Sequence, residues 1–207
     1  MLTSYWQHFK SGTDIRGVAL DGVEDQPLDL TDEVVEKLAA AFARWLSGKT
    51  GKPAAALTVS LGRDSRLSGP RLRDAVVRSL TARGVTVLDC GLASTPAMFM
   101  TTVDLGCDGA VQLTASHHPY HRNGLKFFTR QGGVTGAQLD EILALAESGA
   151  AFAGGSTPVE KRDFLPPDPA QSGPDHPFSG QLPAPALGKP SERRLRPDRV
   201  QGGRPLS

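Results

Sequence analysis

The sequence predicts an α/β domain of three layers, helices over both faces of a mainly parallel sheet, followed by a disordered proline-rich tail. Three observations predict it. Short apolar runs alternate with stretches of helical periodicity across residues 31–148. The helical stretches are long enough to serve as crossovers, which parallel strands need. Finally, 10 of the 16 prolines fall in residues 163–207, a stretch with few branched apolar side chains and no period of 2 or 3.6. The domain is read as residues 1–160 and the tail as 161–207.

Each element has its own signal. Over residues 31–47, Val34, Val35, Leu38, Phe42, Trp45 and Leu46 recur at helical spacing. Thr31 suits the cap, Asp32 and Glu33 suit the positive helix start, and Gly48 is expected to end it. Residues 55–61 read as a buried strand. Ser68 and Pro70 open a second helix bearing Leu72, Ala75, Val76 and Leu80, closed near Gly84. Residues 85–90 are strand-like, Thr95-Pro96 starts a short helix running to about Leu105, and residues 109–114 form another strand. Residues 125–128 suggest a further short strand, and residues 135–148 a last helix stopped by Gly149. Loops at the carboxyl ends of such strands carry function in open α/β sheets. Two polar stretches fall there, residues 62–66 and 114–124.

Composition narrows the functional classes. With 23 Lys+Arg against 22 Asp+Glu the net charge is +1, which gives no long-range pull toward nucleic acid or an anionic membrane. No apolar run approaches the roughly 20 residues of a membrane span. Cys90 and Cys107 are too few for a disulfide framework, have no zinc spacing, and read as small apolar fillers. The chain opens without a basic stretch followed by an apolar one, so a cytoplasmic protein is expected, with the plastid stroma as the alternative. The tail is mildly basic at Lys189, Arg193, Arg194, Arg196, Arg199 and Arg204, as an ordinary solvated tail can be.

The most informative stretch is Thr114-Ala115-Ser116-His117-His118-Pro119-Tyr120-His121-Arg122-Asn123-Gly124-Leu125-Lys126. A serine at the mouth of a buried strand is exposed on a held backbone. His117 beside it can exchange protons, and Arg122 and Lys126 can offset anionic charge. Pro119 stiffens the loop and Asn123-Gly124 turns the chain back. Such a group suits a serine that carries phosphate. By spacing alone it equally suits a polar surface loop. His117 and His121 are four apart, but Pro119 between them argues against the helix that would make them a metal pair.

Thr-Ala-Ser-His-x-Pro followed by Asn-Gly-x-Lys resembles the phosphoserine loop of the α-D-phosphohexomutases, which include phosphoglucomutase, phosphomannomutase and phosphoglucosamine mutase. Two further stretches match in order. Phe9-Lys10-Ser11-Gly12-Thr13-Asp14-Ile15-Arg16-Gly17 is similar to the family's amino-terminal Phe-Gly-Thr-Asp-Gly-Ile-Arg-Gly element, and Gly62-Arg63-Asp64-Ser65-Arg66 to its Gly-x-Asp-x-Arg stretch. The usual Ser-His-Asn-Pro is Ser116-His117-His118-Pro119 in this chain.

The resemblance implies an isomerase that works by phosphotransfer within one sugar. Phosphorylated Ser116 gives its phosphoryl group to a hexose phosphate, and the bisphosphate returns its other phosphate to the serine, so 1- and 6-phosphates interconvert. Ser116, His117, Lys126 and Arg16 are then the catalytic group, and Arg63, Arg66, Arg122 and Asn123 the candidates for binding substrate or phosphate. Mg²⁺, held through the Ser116 phosphate, and a hexose bisphosphate activator are the implied cofactors. The resemblance covers the first of the family's four domains. The family's metal-binding Asp-x-Asp-x-Asp-Arg run has no counterpart in residues 150–207. A truncated form with weak or no activity is the expectation, through a splice variant, a shortened gene prediction or an out-of-frame end. The alternative is a non-catalytic fragment that binds phosphosugar or associates with a full-length mutase. Leu92, Ala93 and Phe152 would then be exposed where a second domain is missing.

Overall fold

The computed structural model describes residues 2–149 and 159–161, all within one compact unit, Met1–Pro166. Of the tail expected at 161–207 only Lys161 is described; Phe152 and the basic positions from Lys189 to Arg204 lie outside the described residues. The helices are α1 (Ser4–His8), α2 (Asp32–Thr50), α3 (Gly69–Thr81), α4 (Thr95–Asp104) and α5 (Gly136–Ser148). The strands are β1 (Lys10–Ser11), β2 (Asp14–Val18), β3 (Thr58–Arg63), β4 (Thr86–Leu92), β5 (Gly109–Leu113), β6 (Arg122–Thr129), β7 (Gly132–Gly133) and β8 (Val159–Lys161). They form one sheet in the order β1-β2-β6-β5-β3-β4-β8, with β7 paired to β6.

The α/β class holds, but the sheet is mixed rather than mainly parallel. β3 pairs in parallel with β4 and β5, and β4 with β8. β6 runs antiparallel to β5, β2 and β7, and β1 antiparallel to β2. The cause lies in chain length: residues 114–121 join β5 to β6 as a loop without a helix, too short to carry the chain back for a parallel return. β8 also carries the sheet one residue past the expected boundary at 160, with Lys161 beside Asp89.

Strand alternation sorts side chains to two faces. Val59 and Leu61 of β3, Val111 and Leu113 of β5, and Leu125 and Phe127 of β6 join the larger core under α2, α3 and α5. Phe42 stacks on Phe127 with centroids 4.5 Å apart. Full burial of one such side chain contributes about 1.5–3 kcal/mol. Among the described residues the other face is covered by α4, whose Met98 joins Leu88, Cys90, Cys107 and Ala110 in a smaller core. There Ser60 Oγ meets Thr101 Oγ1, and Gly62 lies so close to Met98 Sδ that any Cβ would overlap it.

The ends of the helices follow the expected chemistry with one shift. Thr31 Oγ1 accepts from Val34 N at 3.3 Å, and Thr135 with Gln138 forms a reciprocal capping box around α5. Gly48 stays inside α2. The stop is Gly51, whose left-handed φ of 70° lets its N–H bond Ser47 O at 2.9 Å.

Candidate functional site

The serine loop leaves β5 and is fixed at both ends. Thr114 N donates to Gly124 O at 3.1 Å, and Arg122 N to Pro119 O at 3.1 Å. Asn123, wholly buried, donates through Nδ2 to Ser68 Oγ at 2.9 Å and accepts from Gly124 N at 2.8 Å. That ties the loop to the start of α3 and takes Asn123 out of reach of a substrate, contrary to the expectation that it binds one. His118 N closes a turn onto Ala115 O at 3.0 Å.

Ser116 sits at the tip of that turn, exposed, with φ at 55°. A left-handed backbone at a residue with a Cβ is a strained state, held only where neighbours over-determine it. The Ser116 N–H is held by Thr114 Oγ1 at 3.0 Å and its carbonyl by Arg66 Nη2 at 2.7 Å.

The cations come from β2 and β6. Ile15 and Leu125 belong to the larger core, so Arg16 and Lys126 beside them point to the α4 face. Arg16 is 5% exposed and donates to Thr114 O at 2.6 Å, two residues before the serine, and to Asp14 Oδ2 at 2.8 Å. Lys126 Nζ donates to the same Asp14 oxygen. One carboxylate thus gathers both cations. Gly124 makes this approach possible, because a Cβ there would strike the Ile15 carbonyl and come within 2.6 Å of Arg16 Nη1.

Charge around the loop is strongly positive. Burial pushes the Arg16 guanidinium below its ordinary value; Asp14 opposes the shift, and Arg66 and Arg122 add to it. It remains charged at any physiological pH. His118 is likewise held below its ordinary value, first by desolvation and then by Arg16, His117, Arg122 and Arg66. The Arg122 Nε–H is buried without a partner among the described residues. Desolvation disfavours charge on both Arg16 and His118, and the neighbouring arginines add a positive contribution that favours an anion.

The remaining expected residues divide. His117 is exposed and stacks on His118 at 5.0 Å between centroids. Arg63 belongs to the helix-covered face: its Cδ would lie 3.1 Å from a Cβ on Gly69 in α3, and its Nη1 donates to Asp64 O at 3.3 Å. His121 is buried and bonds Gln26 at 2.9 Å. Three residues were not read from the sequence as parts of the site: Asp14, which holds the two cations, Thr114, which bonds both Ser116 and Arg16, and Ser68, read only as the start of a helix. Asp14 could have been found by its place two residues from Arg16 in a strand, where i and i+2 share a face.

The described residues do not form a Mg²⁺ cage. Asp14 is taken by Arg16 and Lys126, and Asp64 by Arg66 Nε at 3.3 Å. Among the described residues no group of three or more His, Cys, Asp and Glu could hold a metal ion.

The class of structure is an α/β/α domain that sets an exposed serine on a left-handed bend after β5, with Arg16 and Arg66 bonded to the same loop. Comparison with known proteins makes the class specific. Residues 9–151 match the family described as phosphoglucomutase/phosphomannomutase, alpha/beta/alpha domain I, and the chain belongs to that family. It is 38% identical over 124 residues to a phosphoglucosamine mutase of Nautilia profundicola, covering 59% of this chain and 27% of that protein. It is 32% identical over 152 residues to a phosphoglucomutase of Neisseria meningitidis, covering 73% of this chain and 30% of that protein. A solved phosphoglucomutase/phosphomannomutase family protein from Burkholderia thailandensis superposes with a TM-score of 0.62 at 28% identity, over 79% of this chain and 34% of that one. The chain thus spans about a third or less of the relatives it matches. No helix among the described residues is long and apolar enough to cross a membrane.

Proposed function

We propose that this chain is the phosphoryl-carrying domain of a phosphohexomutase, with Ser116 as the carrier in the interconversion of hexose 1- and 6-phosphates. The observation that carries the reading is the meeting of Arg16 and Lys126 on Asp14, with Arg16 also bonded to the serine loop at Thr114 O. A phosphoserine brings a charge of about −1.5 to −2, and Arg16 and Lys126 with their shared Asp14 present one net positive charge to it.

In the transfer, the bond between phosphorus and Ser116 Oγ breaks as a hexose hydroxyl oxygen bonds the phosphorus. The hydroxyl proton passes to Ser116 Oγ, with exposed His117 beside it as the relay. Arg16 and Lys126 steady the moving negative charge. The donor set does not fit a resident Mg²⁺, so no step is routed through one. A hexose bisphosphate supplies the first phosphoryl group, and no partner beyond the sugar phosphate is required for that step.

The test is incubation with glucose 1,6-bisphosphate and mass analysis of the loop peptide. Phosphate on Ser116, absent from Ser116→Ala, is the expected result, and an unlabelled wild-type chain contradicts it. A second reading, a fragment that associates with a full-length mutase without turnover, is favoured by the apolar side chains that Leu92, Met100, Val103 and Leu105 expose along β4 and α4. It predicts co-purification with such a mutase or inhibition of it.

A further inference from the structure

We infer that Arg66 is a positioning residue for the serine loop: its guanidinium gathers four backbone carbonyls and thereby fixes the bend on which Ser116 sits. The inference rests on the reading of Ser116 as phosphoryl carrier, and it reassigns Arg66 from the phosphate-binding role that its motif implies.

A guanidinium has five N–H donors. All five of Arg66 are engaged. Nε donates to Asp64 Oδ2 at 3.3 Å. Nη1 donates to Pro119 O at 2.7 Å and Arg122 O at 2.9 Å. Nη2 donates to Ser116 O at 2.7 Å and His118 O at 2.8 Å. A phosphate could take a donor only by displacing a carbonyl of the loop that carries it. The arginine is itself anchored: Asp64 Oδ1 accepts from Arg66 N at 3.0 Å, and Asp64 N donates to Leu113 O at 3.0 Å, at the end of β5. Its base and its target therefore hang from the same strand.

Two consequences follow for the serine. The left-handed bend is pinned on both sides, by Thr114 Oγ1 on the N–H and by Arg66 on the carbonyl. The four carbonyl dipoles also end on Arg66 and are neutralised there, so their negative ends do not oppose a phosphate. In a trans peptide C=O and N–H point opposite ways, so turning Ser116 O toward Arg66 turns the His117 N–H away from it. Lysine cannot replace this. It brings three donors from one point where a planar fork serves four acceptors.

The experiment compares Arg66→Ala and Arg66→Lys with the wild-type 207-residue chain by amide hydrogen exchange and by Ser116 labelling from glucose 1,6-bisphosphate. The amides of Ser116, His118 and Arg122, all bonded within the loop, are expected to exchange about 10-fold faster or more in both variants, with β3 and β5 unchanged in Arg66→Lys. The maximal labelling rate is expected to fall by a similar factor, with the half-saturating bisphosphate concentration unchanged. If Arg66→Ala does not fold, Arg66→Lys decides. Wild-type exchange and labelling in Arg66→Lys would overturn the inference, because charge alone would then suffice. A raised half-saturating concentration at an unchanged rate would overturn it too, by making Arg66 a direct ligand. A wild-type chain that takes no label contradicts the carrier role of Ser116, and the exchange comparison then judges the clamp alone.

Discussion

The parallel and antiparallel halves of the sheet are built by different means. In the parallel half, β3, β4 and β5 are short apolar segments linked through α3 and α4, and their stability comes from burial against helices. In the antiparallel half, β2 and β6 bury Ile15, Leu125 and Phe127 in the same core but add polar ties at Arg16, Asn123, Gly124 and Lys126: a shared carboxylate, a buried amide and a close approach of two backbones. Both halves are closely packed: a Cβ on Gly62 would overlap Met98 Sδ in the parallel half, as one on Gly124 would strike the Ile15 carbonyl in the antiparallel half. The serine loop joins the two halves, between β5 and β6.

That contrast can be broken most forcefully at Gly124. Gly124→Ala puts a methyl onto the Ile15 carbonyl, and a loss of about 3 kcal/mol or more is expected in denaturant unfolding, with β2 detached in hydrogen exchange before the parallel strands open. A variant as stable as wild type would show that the seam between β2 and β6 adjusts freely. A smaller effect of opposite sign is expected at the tip of the loop. Ser116→Gly relieves the left-handed strain and is expected to raise stability by about 0.5–1 kcal/mol while removing the carrier hydroxyl. Strain stored at a working residue is an ordinary form of the conflict between stability and activity.

The smallest effect concerns pH. The folded state holds His118 below its ordinary value through desolvation and the charges of Arg16, His117, Arg122 and Arg66. The unfolded chain therefore binds the extra proton more readily. Stability linked to this group is present above the ordinary histidine value, near pH 6.5, and is lost as pH falls through the lower folded value. His118→Gln is expected to reduce the drop in melting temperature between pH 7 and mildly acidic conditions. An unchanged drop would remove His118 from the positive cluster.

The parallel half was legible in the sequence because periodicity reports burial. The helical spacing from Val34 to Leu46 and the apolar run ending at Leu61 each marked an element within a few residues. The antiparallel half was legible mainly through its chemistry. Asp14-Ile15-Arg16-Gly17-Val18 has no apolar run to mark a strand, and Arg16 is buried only because Asp14 and the Thr114 carbonyl meet its charge. Asp14 lies only two positions from Arg16, but the Thr114 carbonyl lies 98 away, which local pattern does not record. The same limit explains Asn123 and Arg66. Their residue types suit phosphate contact, yet the fold spends the amide of one on Ser68 and the five donors of the other on Asp64 and the loop.

Phosphate transfer onto the loop is the most direct measurement. After exposure to glucose 1,6-bisphosphate, the wild-type chain should carry a single phosphate on the peptide containing Ser116, and Arg16→Ala should carry markedly less. A wild-type chain that stays unmodified, or one whose phosphate maps to another hydroxyl, would contradict the account.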